Sequence, residues 1–564
     1  MSLSKHIDAD ALISAAEDHP HLSLVERSNE SRLNHRVGGR YRVDKLPKYQ
    51  IPKEGCSEEE AYHIIDHELS LDGTPTLNLA SFVHVNVPEY CKRLLNERAN
   101  INLVDQDEYP STLQIHGRCV SILADLWHAP IEKDANGKRK SAFGVATTGS
   151  SEALMLGGLA MKKRWQHKRK EAGKSMYEPG PNLVFGANCQ VCIEKLCRYF
   201  DIEAREVPVS KDSRYCLDVK KAIEMCDENT IGVFNILGST YTGHYEPALE
   251  LSNALDDLQK RTRLDIPIHI DGASGGFVAP FAHPNLKWDF QLPRVVSINT
   301  SGHKYGMVLA GLGWVVFRNE DFVPKELVFE LHYLGSVEYS FGLNFSRPAA
   351  PVLAQYFNFL NLGFEGYKAI MQEDLKNARL FSRALELSGL YDILSDIHRP
   401  ASTTSAIGKT IGVSDEMDAE VYMPGLPVVS FRWNDNLYQK APYLKGQQHF
   451  MQTLLRAKGW IVPNYNLPKG LEDIEILRVV VREDMSEDMV DQLVHDILSI
   501  TEDLLTEGTT AERLTAISQH KNNAAQQQKS GGKHQTHKHH HIHKHATRPP
   551  PGTSAHPGNS GKQC

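Results

Sequence analysis

The stretches IHIDGASGGF (268–277) and SINTSGHKYG (297–306) decide how the rest of the chain is read. Each opens on a short apolar run and then breaks into glycine, serine or other small and polar residues. A run of about four to eight apolar residues bounded by turn residues reads as a strand buried on both faces. Asp271 closes the first run, and Lys304 follows the second at a spacing of 33 residues (304 − 271). A carboxylate at the end of a buried strand is costly unless it meets a cation. Lys304, set between Gly302 and Gly306, is placed to lose its proton and form an imine with a carbonyl. Taken singly, each has a plainer reading: an Asp capping a turn, and a solvated loop lysine.

The same pattern extends outward on both sides. NLVFG (182–186) precedes a helical run, VCIEKLCRYF (191–200), and REVPVS (205–210) reads as a further strand. TIGVFNILG (230–238) follows a helical segment around KKAIEMC, and LGWVVFR (312–318) closes the series. Apolar strands alternating with helices imply an α/β fold, with a mostly parallel sheet covered on both faces. This large domain is expected over residues 77–374. A long helix around EDLKNARLFSRALELSG, strands LPVVSFRW (426–433) and ILRVVVRE (476–483), and a last helix imply a smaller α+β C-terminal domain over 375–510. Residues 1–76, polar and broken by Pro47, Pro52 and Pro75, read as an N-terminal arm.

Ligands of an open parallel sheet sit at the carboxyl ends of its strands, and a third stretch, TTGSSEALMLGG (147–158), belongs there. Gly149, Ser150 and Ser151 end a loop just before a helix begins. Hydroxyls and free amides at a helix N-terminus make a phosphate cradle; the plainer reading is a serine N-cap with Glu152 in the first turn. Together the three stretches provide a phosphate cradle, a carboxylate able to pair with a protonated pyridine nitrogen, and an imine-forming lysine. Ala273 is small enough to let such a ring lie against the backbone. That order is the order of the large pyridoxal 5′-phosphate (PLP) fold, fold type I, shared by aminotransferases and decarboxylases. Neither a GxGxxG after a strand nor a GxxxxGK[ST] is present to support a rival nucleotide fold.

Composition narrows the partners. A formal net charge of −8 over 564 residues gives no reason to expect nucleic acid. The N-terminus lacks a signal-type apolar run, no stretch approaches the roughly 20 apolar residues that cross a bilayer, and the terminal GKQC is a poor prenylation box. Nine scattered cysteines fit reduced thiols, so a cytoplasmic protein without a membrane partner is expected. Cys189-x-x-Cys192 has metal spacing but no second pair, and no metal site is expected. Residues 511–564 hold nine His, eight Lys plus Arg and one acid, Glu512. This segment is expected to be disordered, with HQTHKHHHIHKHAT (534–547) responding to pH or to transition metals.

The sequence resembles the glutamate decarboxylases of bacteria and plants over about residues 75–500. The resemblance rests on NLASF (78–82), ADLWHAP (124–130), GSSEA, GGLAMKKRW (157–165), TYTGHYE (240–246), HIDGASGGF, WDFQLPRV (288–295), SGHKYG, ELVFELHYLG (326–335) and NFSRPA (344–349). It implies that Ser150 and Ser151 bind the PLP phosphate, with Ser301 and His303 assisting and Ser346 reaching a neighbouring subunit's phosphate. Gln190 would stack on the ring, Thr240 contact its 3′-oxygen, and Asp271 hold its nitrogen. Ser81 and Phe82 would grip the distal carboxylate of L-glutamate, aided by Asn102 and Asp105 from a partner subunit, while Arg478 holds the α-carboxylate. Tyr333, in the segment HYLGSVEYSFG (332–342), is the candidate for protonating the α-carbon as 4-aminobutyrate forms. A homodimer at minimum, and a hexamer as the larger form, is implied. The tail lacks Trp and a basic amphipathic helix, so the calmodulin binding of plant relatives is not carried over. Other PLP decarboxylases and aminotransferases share Asp271 and Lys304, so only the substrate-side residues discriminate.

Overall fold

The computed structural model describes residues 49–507, apart from 54, 134–135, 138, 141, 332–337 and 402–418. Seven strands build its main sheet: β1 (Phe143–Thr147), β2 (Asn182–Gly186), β3 (Glu203–Val207), β4 (Thr230–Ile236), β5 (Ile268–Asp271), β6 (Val295–Ser301) and β7 (Gly313–Phe317). Their order is β1-β7-β6-β5-β4-β2-β3. Only β7 runs against its neighbours, so the sheet is mostly parallel, as the sequence implies. β2, β4, β5, β6 and β7 are buried along their whole length, which is why they read as continuous apolar runs rather than alternating ones.

NLVFG forms β2 over the residues expected. The REVPVS strand instead spans Glu203–Val207, ending before Pro208, which has no N–H to give a ladder. β1 lies within the sequence FGVAT, where Gly144 and Ala146 weaken the strand signal. The long helix expected around 373–389 starts much earlier, and helical structure runs over Ala350–Leu387. It is interrupted at Gly363, whose φ of 60° and ψ of −172° is a conformation glycine tolerates.

Helix α1 (Pro110–Leu126) packs against β1 and β7, and α2 (Ser150–Glu171) lies across β6 and β7. A glycine pair in α2 lets it also come close to β5 and to the next helix. A Cβ on Gly157 would fall 2.7 Å from the His269 imidazole, and one on Gly158 would fall 2.3 Å from Leu196 of α3 (Val191–Tyr199). A second, four-stranded antiparallel sheet has the order β8 (Tyr391–Ile393), β9 (Val428–Trp433), β11 (Glu475–Val480), β10 (Asn464–Asn466). The chain before α1 is tied to this sheet: Val480 N donates to Leu79 O at 3.0 Å and Ile461 N to Leu77 O at 3.0 Å. Residues 77–82 therefore lie beside β11. Further upstream, Glu58–Leu69 is a helix with a Ser57/Glu60 capping box and no buried residue.

The turn after β5 is the tightest point of the sheet. Gly275 N donates to Leu237 O at 3.1 Å, and a Cβ there would fall 2.1 Å from that oxygen and 2.9 Å from its carbon. Both are backbone atoms that cannot step aside. Gly275→Ala is expected to destabilise the protein by about 1–3 kcal/mol, read as a lower urea midpoint. An unchanged midpoint would show that the turn is looser than described.

Candidate active site

Successive strand residues point to opposite faces. His269 and Asp271 therefore share one face of β5, and Ser297, Asn299 and Ser301 share one face of β6. The register pairs His269 with Ser297 and Asp271 with Asn299. Under α2 these residues form a hydrogen-bonded ladder. His269 Nδ1 lies 2.7 Å from Ser297 Oγ and Nε2 2.7 Å from Asn299 Oδ1. Asn299 Nδ2 donates to Asp271 Oδ1 at 2.9 Å, and also to Ser150 Oγ. Ala273 N gives Asp271 Oδ1 a second donor at 3.1 Å. Burial drives the His269 pKa down to about 4, so the ring is neutral near pH 7.

Lys304 stands where β6 gives way to its loop. Its ammonium donates to Ser274 Oγ at 3.3 Å and lies 5.2 Å from the centre of the Phe82 ring. Burial lowers its pKa, against the opposing pull of Asp271, so it gives up its proton more readily than a surface lysine. The Arg478 guanidinium, brought in by β11, lies 5.0 Å from the same Phe82 ring and 6.0 Å from the Tyr465 ring. Arg478 donates to Thr240 O at 3.3 Å and to Ala80 O, while its Nε is buried without a partner among the described residues. Gln190 Nε2 donates to Thr240 Oγ1, which brings the end of β2 into the group. Ser81 Oγ accepts from Val83 N at 3.1 Å, and Arg482 holds the carbonyls of Ser81 and Val83 at 3.2 and 2.7 Å.

The loop from β1 enters α2 at Gly149, Ser150 and Ser151, with the first-turn amides free of helical partners. A Cβ on Gly313 would fall 2.3 Å from the Gly149 carbonyl carbon, so β7 backs this loop directly. The Ser301 hydroxyl is buried with no hydrogen-bond partner among the described residues. His303 Nδ1 lies 2.7 Å from Leu312 O and so carries the proton. Burial lowers its pKa, so Nε2 becomes a donor only when the ring is protonated, as a bound anion would favour. Amides at a helix start and an orphaned buried hydroxyl suit a phosphate. A buried carboxylate suits a ring nitrogen, and an amine of weakened basicity suits an imine. These residues fit PLP.

Other expected residues gather elsewhere. Asn102 Nδ2 lies 3.3 Å from Asp105 Oδ1 and 3.4 Å from Ser346 Oγ, so these three meet one another. None of them has a hydrogen bond to Lys304 or Arg478 among the described residues. Tyr333 and the His-rich tail lie outside the described residues. Sequence reasoning passed over His269, Asn299, Ser274, Tyr241 and Tyr465. For the first two a signal was present, in the alternation His-x-Asp and Ser-x-Asn-x-Ser at strands already recognised. Tyr465, whose ring is 5.8 Å from that of Tyr241, has no such signal, because it arrives from the second sheet.

Residues 57–402 match the pyridoxal-dependent decarboxylase conserved domain. A glutamate decarboxylase of Solanum lycopersicum is 44% identical over 494 residues, covering 87% of this chain and 90% of that protein. The chain belongs to the pyridoxal-dependent decarboxylase family, among the glutamate decarboxylases. One from Saccharomyces cerevisiae is 45% identical over 478 residues, covering 81% of this chain and 79% of the relative. The solved glutamate decarboxylase of Lactobacillus brevis superposes with a TM-score of 0.72 at 36% identity, over 84% of this chain and 98% of that one. A solved Oryza sativa TDC with PLP and tryptamine, at 14% identity and a TM-score of 0.64, shares the fold.

Within this decarboxylase, Glu152 is more than a first-turn acid. Its buried carboxylate accepts from Thr148 N and Oγ1 at 2.8 Å each, Leu343 N at 2.9 Å, and Asn344 Nδ2 and N at 3.1 and 3.2 Å. It therefore staples the loop before α2 to the segment leading to Ser346. Burial raises its pKa, but these donors outweigh it and the net shift is downward. A folded pKa below the unfolded value contributes stability above the unfolded pKa, and that contribution is lost as pH falls through the folded value. Glu152→Gln is expected to cost about 1.5–3 kcal/mol near pH 7. The gap to wild type should close below about pH 4. Urea midpoints taken from pH 3.5 to 7 measure it, and a gap constant with pH would contradict the assignment.

Proposed function

We propose that this protein decarboxylates L-glutamate at its α-carbon, releasing carbon dioxide and forming 4-aminobutyrate, with PLP as cofactor. One observation carries the reading: the Lys304 amine and the Arg478 guanidinium lie 5.2 and 5.0 Å from one ring, that of Phe82. An imine-forming amine and a carboxylate-binding fork at one aromatic ring suit an α-amino acid. Identity of 41–45% to glutamate decarboxylases of plants and yeast supports glutamate as that acid.

When bound, the cofactor supplies a protonated ring that accepts the electron pair left as carbon dioxide departs. Lys304 would hold the cofactor through its amine, whose burial weakens its grip on a proton. Asp271 keeps the ring nitrogen protonated, Ala273 lets the ring lie close, and Gln190 and Thr240 bound its face and edge. Ser150, Ser151, Ser301 and His303 take the phosphate. Arg478 holds the α-carboxylate and so orients the bond to be broken. Ser81 and Phe82 border the distal carboxylate, and Tyr333 donates the proton to the α-carbon. Asn102, Asp105 and Ser346 act on the site of a partner subunit, which makes the working unit at least a homodimer, with a hexamer as the larger form. All eight described cysteines are free thiols, in keeping with a cytoplasmic setting.

Purified protein reconstituted with PLP is expected to be yellow and to release carbon dioxide from L-glutamate far faster than from L-aspartate. Lys304→Ala should lose the colour and nearly all turnover, and Arg478→Lys at least about a hundredfold in kcat/KM, because a point charge replaces a bidentate fork. Preference for an aromatic or basic amino acid, or full activity without PLP, would overturn the proposal.

A further inference from the structure

Asn299 gives one amide hydrogen to Asp271 Oδ1 at 2.9 Å and the other to Ser150 Oγ, while its Oδ1 lies 2.7 Å from His269 Nε2. We propose that Asn299, oriented by His269, is a positioning residue that presets both ends of the cofactor site: the carboxylate for the ring nitrogen and the hydroxyl for the phosphate. The inference rests on the PLP reading and adds to it two residues with no other assigned part.

The chemistry fixes the direction of each bond. Asp271 is an acceptor, so the Asn299 group facing it is the NH₂, and the carbonyl faces His269. His269 therefore carries its proton on Nε2, and Nδ1 accepts from the Ser297 hydroxyl at 2.7 Å. The imidazole has little room to turn: a Cβ on Gly157 would lie 2.7 Å from it on one side, and the Phe234 ring centre is 4.5 Å away. With Oδ1 of Asp271 taken by Asn299 and Ala273 N at 2.9 and 3.1 Å, Oδ2 remains for the ring nitrogen. Ser150 Oγ, already accepting from Asn299, has its own hydrogen left to donate. One buried amide thus couples the two ends, so each loss should be felt in cofactor retention and not only in rate.

The test uses the full chain, stripped of cofactor, and PLP itself as the probe. Nitrogen-15 NMR of the cofactor-free wild type is expected to show His269 as the Nε2–H tautomer; the Nδ1–H tautomer would overturn the proposal. PLP affinity, followed by absorbance titration, should fall roughly ten- to a hundredfold in Asn299→Ala, the scale of a hydrogen bond to a charged group. His269→Ala should fall similarly, and His269→Gln, whose amide can still donate to Asn299, should recover most of the affinity. A merely space-filling histidine would show no such rescue. Should Asn299→Ala not fold, the His269 pair and the tautomer decide. Wild type that fails to bind PLP would overturn the functional proposal as well. Wild type that binds it, with Asn299→Ala, His269→Ala and His269→Gln all binding equally, would overturn this inference alone.

Discussion

A carboxylate buried in the middle of a seven-stranded sheet is the constraint around which the rest is arranged. Asp271 is 4% exposed, at the carboxyl end of a strand whose neighbours are also buried. Leaving such a charge without hydrogen bonds would cost several kcal/mol. The sheet meets that cost locally, through Asn299 from the adjacent strand and the amide of Ala273 from the turn. Those partners require the register that sets Asp271 opposite Asn299, the small residues after β5, and the glycine in α2 that leaves room for His269. Stability and site chemistry share these atoms.

The second sheet matters because it delivers what the first lacks. A parallel sheet offers loops at one edge, and those loops bring Lys304, Gln190, Thr240 and the Gly149–Ser151 turn together. The Arg478 guanidinium, proposed to pair with a substrate carboxylate, comes instead from β11, and Phe82 comes from the chain segment that β11 binds through Val480. Arg478 donates across both parts, to Thr240 O and Ala80 O. Its position thus depends on three separate stretches of chain. Its buried Nε, without a partner among the described residues, leaves the guanidinium able to take a further acceptor.

What was legible in the sequence follows from this division. Strands buried on both faces announce themselves as apolar runs, so β2, β4, β5, β6 and β7 could be read directly, together with Asp271 at the end of β5 and Lys304 just after β6; Gly149, Ser150 and Ser151 were legible from the helix they open. β1 could not, because Gly144 and Ala146 break up the strand signal of Phe143, Val145 and Thr147 and its place is set by pairing with β7. The alternation set His269 on the face of Asp271 and Asn299 on that of Ser301, but which residue each would meet across the strands comes only from the register. Arg478, Ser81 and Phe82 were reachable through resemblance alone, since nothing local ties residue 478 to residue 82. The extent of the helix ending at Leu387 was also hidden, because Gly363 interrupts the period from which it would have been read.

Isotopic labelling shows directly which carbon is lost. Purified protein, loaded with PLP, is given L-glutamate carrying carbon-13 at C1 in one reaction and at C5 in another, and the released gas is analysed by mass spectrometry. Removal of the carboxylate that Arg478 is proposed to hold should yield labelled carbon dioxide only from the C1 substrate, with the C5 label retained in 4-aminobutyrate. Labelled gas from the C5 substrate, or a keto acid formed without any release of carbon dioxide, would contradict it.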